Sequence, residues 1–327
     1  MTHLAKGSEF DIIARHFGPL AAGDAGALNL ADDAAVLDVP PEFQLLVTTD
    51  ALVSGVHFLA TQSPQDIAFK VVGVNLSDLA AMGAKPRAVF LAAQFTQDID
   101  EAWLAAFAEG LGQALAPSGA VLMGGDTVSS PGPLALTLTA LGFAKTGSLL
   151  TRAGANVGDF VYVSGTIGDG ALGLLCETGA LPADAYLSVR YARPQPRFVL
   201  GQALAERGLA SACIDVSDGL VADLGHVCKA SNVGMDIRAQ DVPLSPSAQA
   251  CVGQNADLLE TVLCGGDDYE LAFTAPPENA AAVADLSALL DLPLTRVGVV
   301  KEPGEGVRVF SGAGDILRLG AGGYRHI

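Results

Sequence analysis

The stretch "SPQDIAFKVVGVNLSDLAAMGAKP" (residues 63–86) carries the marks of one complete helix. Ser63 is placed as N-cap and Pro64 in the first turn, where its missing N–H costs nothing. Gly83 reads as the stop, and Pro86 lies beyond it. Apolar segments of β character flank the helix: "FQLLVTT" (43–49) before it and "RAVFLAAQF" (87–95) after it. The same alternation runs on. Asp98, with Glu101 three residues later, is expected to open a helix that ends at Pro117-Ser118-Gly119. "AVLMGG" (120–125) and "LALTLTALGFA" (134–144) read as strands.

Next comes "KTGSLLTRAGANVGD", rich in glycine and small polar residues, and a domain boundary is placed near residue 147. This gives domains of 1–147 and 148–327. The second opens with the strand "FVYVSG" (160–165) and the helix "DGALGLLCETG". Another helix is expected at about 197–207, and "AAAVADLSALLDL" (280–292) is helical. "SACIDVS", "TVLCGG" (261–266), "YELAFTA", "TRVGVV" and "VRVF" read as strands. Strands and helices mix in both halves, so the expected class is α/β (α+β) with two domains.

The chain has 327 residues, half of them hydrophobic, so it has ample material for buried cores. Lys and Arg number 18 against 36 Asp and Glu, a formal net charge of -18. No nucleic acid and no membrane partner is expected, because phosphate backbones and anionic lipid surfaces demand a basic face. A phosphate substrate would need its charge neutralised by something other than Lys and Arg, and a divalent metal is the candidate. The five cysteines show no C-x-x-C spacing, which fits a reducing cytoplasm. The opening residues lack the apolar core of a signal peptide, and no apolar run is long enough to span a bilayer.

Acids recur where apolar runs end. Asp33 precedes "AAVLDV"; Thr48-Thr49-Asp50 closes the first strand; Asp78 sits in an apolar helix. Asp126 follows Gly124-Gly125, and Asp267 follows Gly265-Gly266. In "IDVSDGL" (214–220), Asp215 and Asp218 lie in another apolar run. Caps and turns explain some of these residues equally well. Asp78 is harder to explain so, since a charge among Val71, Val72, Val74, Leu76 and Leu79 needs a partner or a metal. Magnesium prefers such hard oxygen ligands.

No G-x-x-x-x-G-K-[ST] loop occurs. Gly168-Asp169-Gly170-Ala171-Leu172-Gly173 matches G-x-G-x-x-G after a strand, but the second strand of a dinucleotide fold is not evident in "LPADAYLSVRYARP". These glycines are read as a tight strand-to-helix turn. No nucleophile elbow is found among the serines.

Eight ordered stretches together resemble the thiamine-monophosphate kinase family, of the superfamily that includes aminoimidazole ribonucleotide synthetase and selenophosphate synthetase. They are "GSEFDIIARHF", "DDAAVL", "TTDALVSGVHF", "KVVGVNLSDLAAMGAKP", "MGGDT", "LTRAGANVGDFVYVSGTIGDGALGL", "IDVSDGLVADLGHVCKAS" and "GGDDYEL". The resemblance implies direct transfer of the γ-phosphoryl of ATP to thiamine monophosphate, giving thiamine diphosphate and ADP. It also implies a homodimer whose N-terminal strands pair between subunits into a barrel, with the cleft between domains near that interface. On the matching positions, Asp33, Thr48, Thr49, Asp50, Asp78, Asp126, Asp215 and Asp218 look like ligands of several magnesium ions. Gly125, Asp126, Arg152 and Ser217 look like nucleotide contacts. His57, Asp267 and Tyr324 look like substrate contacts. No general base is implied, because a phosphate oxygen is already an anionic nucleophile. The chain departs from the family pattern in three places: Ala31 stands where Gly is usual, Asp267 where Glu is usual, and Tyr324 where Trp or Phe is typical. Two rival readings are a different phosphate acceptor on the same metal site and a non-catalytic nucleotide binder.

Overall fold

The computed structural model describes residues 9–304 and 306–320. Its chain divides into two compact units. One runs up to Leu79 and resumes at Ala84–Thr146; the other joins Ala80–Gly83 to the chain from Gly147 onward.

The first unit begins with short helical turns, α1 (Glu9–Ile12) and α2 (Gly18–Ala21). Then follow β1 (Phe43–Val53), α3 (Pro64–Ala81), β2 (Lys85–Phe95), α4 (Glu101–Leu115), β3 (Val121–Ser129) and β4 (Ala135–Lys145). The strands form one sheet in the order β1-β4-β2-β3. β2 and β3 are parallel, and the other pairs are antiparallel. The ends of α3 are built as its sequence demands. The Asp66 N–H donates to Ser63 Oγ at 3.1 Å, and the Ser63 hydroxyl donates to the Asp66 carboxylate at 2.7 Å. Gly83 takes a φ of 72°, and the Ala84 N–H closes on the Leu79 carbonyl at 2.8 Å. α4 is capped by Asp100, which accepts from the Trp103 N–H at 2.8 Å, and not by Asp98 as the sequence suggested. A cap must reach the N–H groups of the first turn, and Asp98 stands two residues too early; its carboxyl instead takes a hydrogen bond from Thr96.

β1 alternates strictly in burial around Thr48–Asp50. Leu46 and Leu52 are buried, whereas Phe43, Leu45 and Val47 are exposed, Val47 by 61%. β4 alternates likewise, with Leu136, Leu138 and Ala140 buried.

The second unit contains β5 (Phe160–Ser164), α5 (Asp169–Glu177), α6 (Ala185–Ala192), α7 (Phe198–Glu206), β6 (Ala212–Asp215) and α8 (Leu220–Ser231). After these come β7 (Gly234–Arg238), α9 (Pro246–Gln254), α10 (Leu258–Cys264), β8 (Leu271–Ala275), α11 (Ala280–Leu290), β9 (Leu294–Lys301) and β10 (Val307–Phe310). Its sheet runs β10-β7-β9-β5-β8-β6. Successive residues of β5 and of the edge strand β6 enter different cores. Val161, Val163, Ala212 and Ile214 join one core, and Tyr162, Cys213 and Phe273 join the other. Both faces of these strands are covered, which is why they read as continuous apolar runs. Each fully buried side chain of this size contributes about 2 kcal/mol.

One segment differs in type from its reading: 261–264, expected to be a strand, is the last turn of α10. A four-residue apolar run has no period that separates helix from strand. β7, α6 and α9 were not anticipated. α6 occupies the segment where a dinucleotide fold requires a strand. Asp184 caps it, accepting from the Tyr186 and Leu187 N–H groups at 2.9 and 3.0 Å. The last glycine of the 168–173 motif serves packing: a Cβ on Gly173 would lie 2.1 Å from the Leu187 carbonyl oxygen.

Candidate active site

Polar side chains gather in three sets, and only the third lies at a strand end: Thr48–Asp50 and Asp126, read as closing their apolar runs, lie within β1 and β3, which continue to Val53 and Ser129. The first belongs to β1 and α3. Thr48 and Asp50 are two residues apart on one side of the strand. The Thr48 hydroxyl donates to the Asp78 carboxylate at 2.5 Å. Asn75, one turn before Asp78, donates to the Val71 carbonyl at 2.9 Å and accepts the Asp50 N–H at 3.1 Å. The interruption in the apolar helix is therefore a bracket that fixes β1 at Thr48–Asp50. Burial pushes the Asp50 carboxyl up to about 6, and the neighbouring Asp78 charge adds to the shift. α3 also buries Lys70 completely, a residue the sequence reading passed over. Beyond β1, His57 Nδ1 accepts the Val53 N–H at 3.0 Å, so its Nε2 carries the proton in the neutral ring. Thr49 points away from this set, and its hydroxyl shares a 3.0 Å hydrogen bond with that of Thr139.

The second set is at the other edge of the same sheet. Asp33, Gly125 and Asp126 line a cavity of about 580 Å³ whose apolar wall includes Phe17, Phe90 and Met123. Asp126 accepts the Thr127 N–H at 2.8 Å. Ala31, where the family pattern has Gly, takes a φ of -115°, which alanine adopts without strain.

The pairing register separates these two sets. Asp50 pairs with Leu138, Leu138 with Leu91, and Leu91 with Gly125. Three strand spacings therefore lie between Asp50 and Gly125, about 14 Å. Within one chain, Thr48, Asp50 and Asp78 come together, and so do Asp33 and Asp126; the two sets do not meet.

The third set belongs to the second unit. Asp215 ends β6 and is only 4% exposed. Asp218, Asp223 and His226 each present a ligand atom within 4.8 Å of the others. Neither Ser217 nor Asp218 caps α8. No side chain caps it; Asp223, from inside the helix, instead holds the loop before it, its Oδ2 accepting the N–H groups of Ser217, Asp218 and Gly219 at 3.0, 3.0 and 3.1 Å. An acid four positions into a helix was the missed signal. Burial pushes Asp223 up to about 7, with Asp215 as the next cause. The Asp267 N–H donates to the Ser217 carbonyl at 2.9 Å, which lays the 265–270 turn along Val216-Ser217. Arg152 is exposed, and its carbonyl accepts the Ser231 hydroxyl at 3.0 Å. Tyr324 lies outside the described residues.

The first and third sets fit a hard divalent cation. Their donors are carboxylate and hydroxyl oxygens, joined in the third set by one imidazole nitrogen of His226. Asp50 and Asp223 are both held above the usual carboxylate range, first by burial and then by a neighbour of like charge. The same shifts fix a pH dependence. An acid whose folded value is raised stabilises the fold fully below its unfolded value near 4 and loses that contribution as pH rises through the folded value. The melting temperature of chelated protein should therefore fall between pH 5 and 8, and magnesium should reverse most of the fall. Thermal scans at constant ionic strength check this; a metal-free melting temperature that is flat or rising over that range contradicts it.

Two family models match the chain: AIR synthase related protein, N-terminal domain, over residues 31–144, and AIR synthase related protein, C-terminal domain, over 156–310. A thiamine-monophosphate kinase of Caulobacter vibrioides is 43% identical over 322 residues, covering 97% of this chain and 91% of the relative. The solved thiamine-monophosphate kinase from Stenotrophomonas maltophilia is 41% identical with a TM-score of 0.84, covering 94% of this chain and 98% of its own. The solved AaThiL complexed with AMPPCP and TMP is 30% identical with a TM-score of 0.77, covering 90% and 91%. With its acids ordered along both units and similarity running almost end to end, the chain belongs to the AIR synthase related family and, within it, to the thiamine-monophosphate kinases.

Proposed function

We propose that this protein transfers the γ-phosphoryl group of ATP to thiamine monophosphate, giving thiamine diphosphate and ADP. The observation that carries this reading is the bracketed pair Asp50–Asp78 in a chain 43% identical, over nearly its whole length, to a thiamine-monophosphate kinase. A purely nucleotide-binding protein has no use for two neighbouring carboxylates, one of which, Asp50, the fold resists ionising.

Donor and acceptor are both phosphate anions, so the reaction requires alignment and charge neutralisation more than acid–base chemistry. Magnesium ions, when bound, supply the positive charge that this acidic chain lacks. We assign their ligands to Asp33, Thr48, Asp50, Asp78, Asp126, Asp215 and Asp218, with Asp223 and His226 added beside Asp218; the Thr49 hydroxyl, on the opposite face and bonded to Thr139, is set aside. The Thr48 and Asn75 hydrogen bonds hold Asp78 and the Asp50 backbone in place before substrate arrives. Gly125, Asp126, Arg152 and Ser217 serve the nucleotide. His57 offers an Nε2–H to the acceptor. Asp267 places a carboxylate for the cationic thiazolium, one methylene short of the family's Glu, and Tyr324 completes the substrate side. In this assignment residues up to 147 bind metal and ATP and form the dimer, while 148–327 supply the remaining contacts.

The homodimer reading rests on the sheet of the first unit. β1 and β3 both end it with unpaired edges, and β1 exposes Phe43, Leu45 and Val47. Closing two such sheets into a barrel covers that face and sets the β1 edge of one subunit beside the β3 edge of the other. Asp50 and Asp126, distant within a chain, then become neighbours across the interface. No helix among the described residues is long and apolar enough to cross a membrane, and we place the enzyme in the cytoplasm.

The test is product identification. Purified protein with ATP, magnesium and thiamine monophosphate should yield ADP and thiamine diphosphate one to one. Nucleotide binding without either product would refute the reading.

A further inference from the structure

The turn between α10 and β8, Gly265–Glu270, has a conformation that its residues do not favour. Asp267 and Tyr269, neither a glycine, take φ values of 71° and 52°. Left-handed backbone at two such residues costs energy and persists only where the surroundings impose it. Backbone bonds impose part of it. Tyr269 N–H donates to the Val216 carbonyl at 2.8 Å, and Val216 N–H to the Glu270 carbonyl at 2.8 Å. Gly266 lies so close to the 214–220 segment that a Cβ on it would sit 2.0 Å from the Ser217 oxygen.

The rest is imposed by buried polar side chains. Asp268 turns inward and accepts the Gly168 and Gly170 N–H groups at 2.7 and 3.0 Å. Glu270 is fully buried. It is gripped by Arg197, whose Nε and Nη2 donate at 2.7 and 2.5 Å, and by the Ser164 hydroxyl at 2.6 Å. Arg190, only 5% exposed, reaches the turn twice through one nitrogen, donating to Glu270 Oε1 at 3.0 Å and to the Asp268 carbonyl at 3.3 Å.

Arg190 is a poor stabiliser by its own geometry. Its Nε and Nη1 are buried and make no hydrogen bond among the described residues, although Nε stands 3.8 Å from Asp169 Oδ2. A buried cation with unspent donors commonly gives no net stability over an apolar side chain. Its distinguishing contact is with the backbone between Asp267 and Tyr269, the residues in the strained conformation. Tyr269 in turn holds Asp267: its hydroxyl donates to Asp267 Oδ1 at 3.1 Å.

We propose that Arg190 is a positioning residue: it fixes the Asp268 carbonyl, and so the strained turn, such that Asp267 is presented to the cationic ring of thiamine monophosphate. The proposal rests on the reading of Asp267 as a substrate contact. It predicts a selective kinetic lesion, because a misplaced Asp267 weakens substrate binding and leaves the nucleotide contacts intact.

The experiment is steady-state kinetics on the full-length enzyme with Arg190→Gln, Arg190→Lys, Asp267→Ala and the double variant Arg190→Gln/Asp267→Ala. Arg190→Gln should raise the KM for thiamine monophosphate about tenfold and leave the KM for ATP within about twofold, on the scale of a lost charge-assisted contact. Arg190→Lys, which keeps the charge and a donor, should recover most of the loss. In the Asp267→Ala background Arg190→Gln should add less than about twofold, because its effect passes through the missing carboxylate. Equal rises in both KM values, or full additivity in the double variant, overturn the proposal while leaving Asp267 as a contact. An unchanged KM for thiamine monophosphate in Asp267→Ala alone removes the contact and the proposal together. Should Arg190→Gln fail to fold, Ser164→Ala decides. It deletes the bond to Glu270 and the acceptor of the Leu271 N–H and leaves every charge in place, so a rise of about threefold confined to thiamine monophosphate supports the proposal. A rise shared with ATP, or none, overturns it.

Discussion

Asp50→Asn should lower turnover at least about a hundredfold, the scale of losing a preorganised electrostatic group at the reacting centre. The same change should raise the melting temperature of the metal-free protein at pH 8, by about 2 °C. The two effects have one cause. The fold buries Asp50 beside Asp78, so its ionisation is opposed until a cation arrives. Asparagine keeps the shape and removes the charge, and the Asn75 bond to the backbone N–H at residue 50 is untouched. A structural carboxylate gives the opposite pair, lower stability and near-normal turnover. Steady-state rates and thermal scans with and without chelator measure both. Near-normal turnover with unchanged magnesium dependence removes Asp50 from the metal shell.

Val47→Asp should separate the subunits and lower turnover at least about tenfold. Within one chain the change is benign, because Val47 is 61% exposed and exposed substitutions usually cost within about 0.5 kcal/mol. In a closed barrel the same carboxylate is buried twice across a two-fold axis, facing apolar neighbours with no cation, which costs several kcal/mol. Sedimentation velocity should show a dimer for the unsubstituted protein and a monomer for the variant, with the monomer folded and nearly inactive. A monomeric unsubstituted protein with full turnover, or an active dimeric variant, contradicts the barrel and with it the meeting of Asp50 and Asp126.

Much of this was legible in the residues. The 63–86 helix announced its own ends, and the central strands announced their burial by unbroken apolar runs. The acids among the apolar runs marked the candidate site because a chain this apolar places charge sparingly. What stayed hidden depended on distance through space. Asp223 looked like an ordinary helix residue until three N–H groups converged on it. Arg190 and Arg197 sat in a Pro-rich segment some 73 to 80 positions from the Glu270 they grip. The 261–264 run is too short for any period to show. The separation of Asp50 from Asp126 follows from strand order, which no local pattern encodes.

The central claim is that carboxylates, Asp50 and Asp78 foremost, hold the magnesium we propose for phosphate-to-phosphate transfer. Turnover against free magnesium, at saturating ATP and thiamine monophosphate, tests it most directly. Turnover should be absent in chelator. It should keep rising, with apparent order above one, after all ATP is complexed to metal. Asp50→Asn should shift that second rise to higher magnesium. Full turnover in chelator, or saturation as soon as ATP is complexed, would contradict the account.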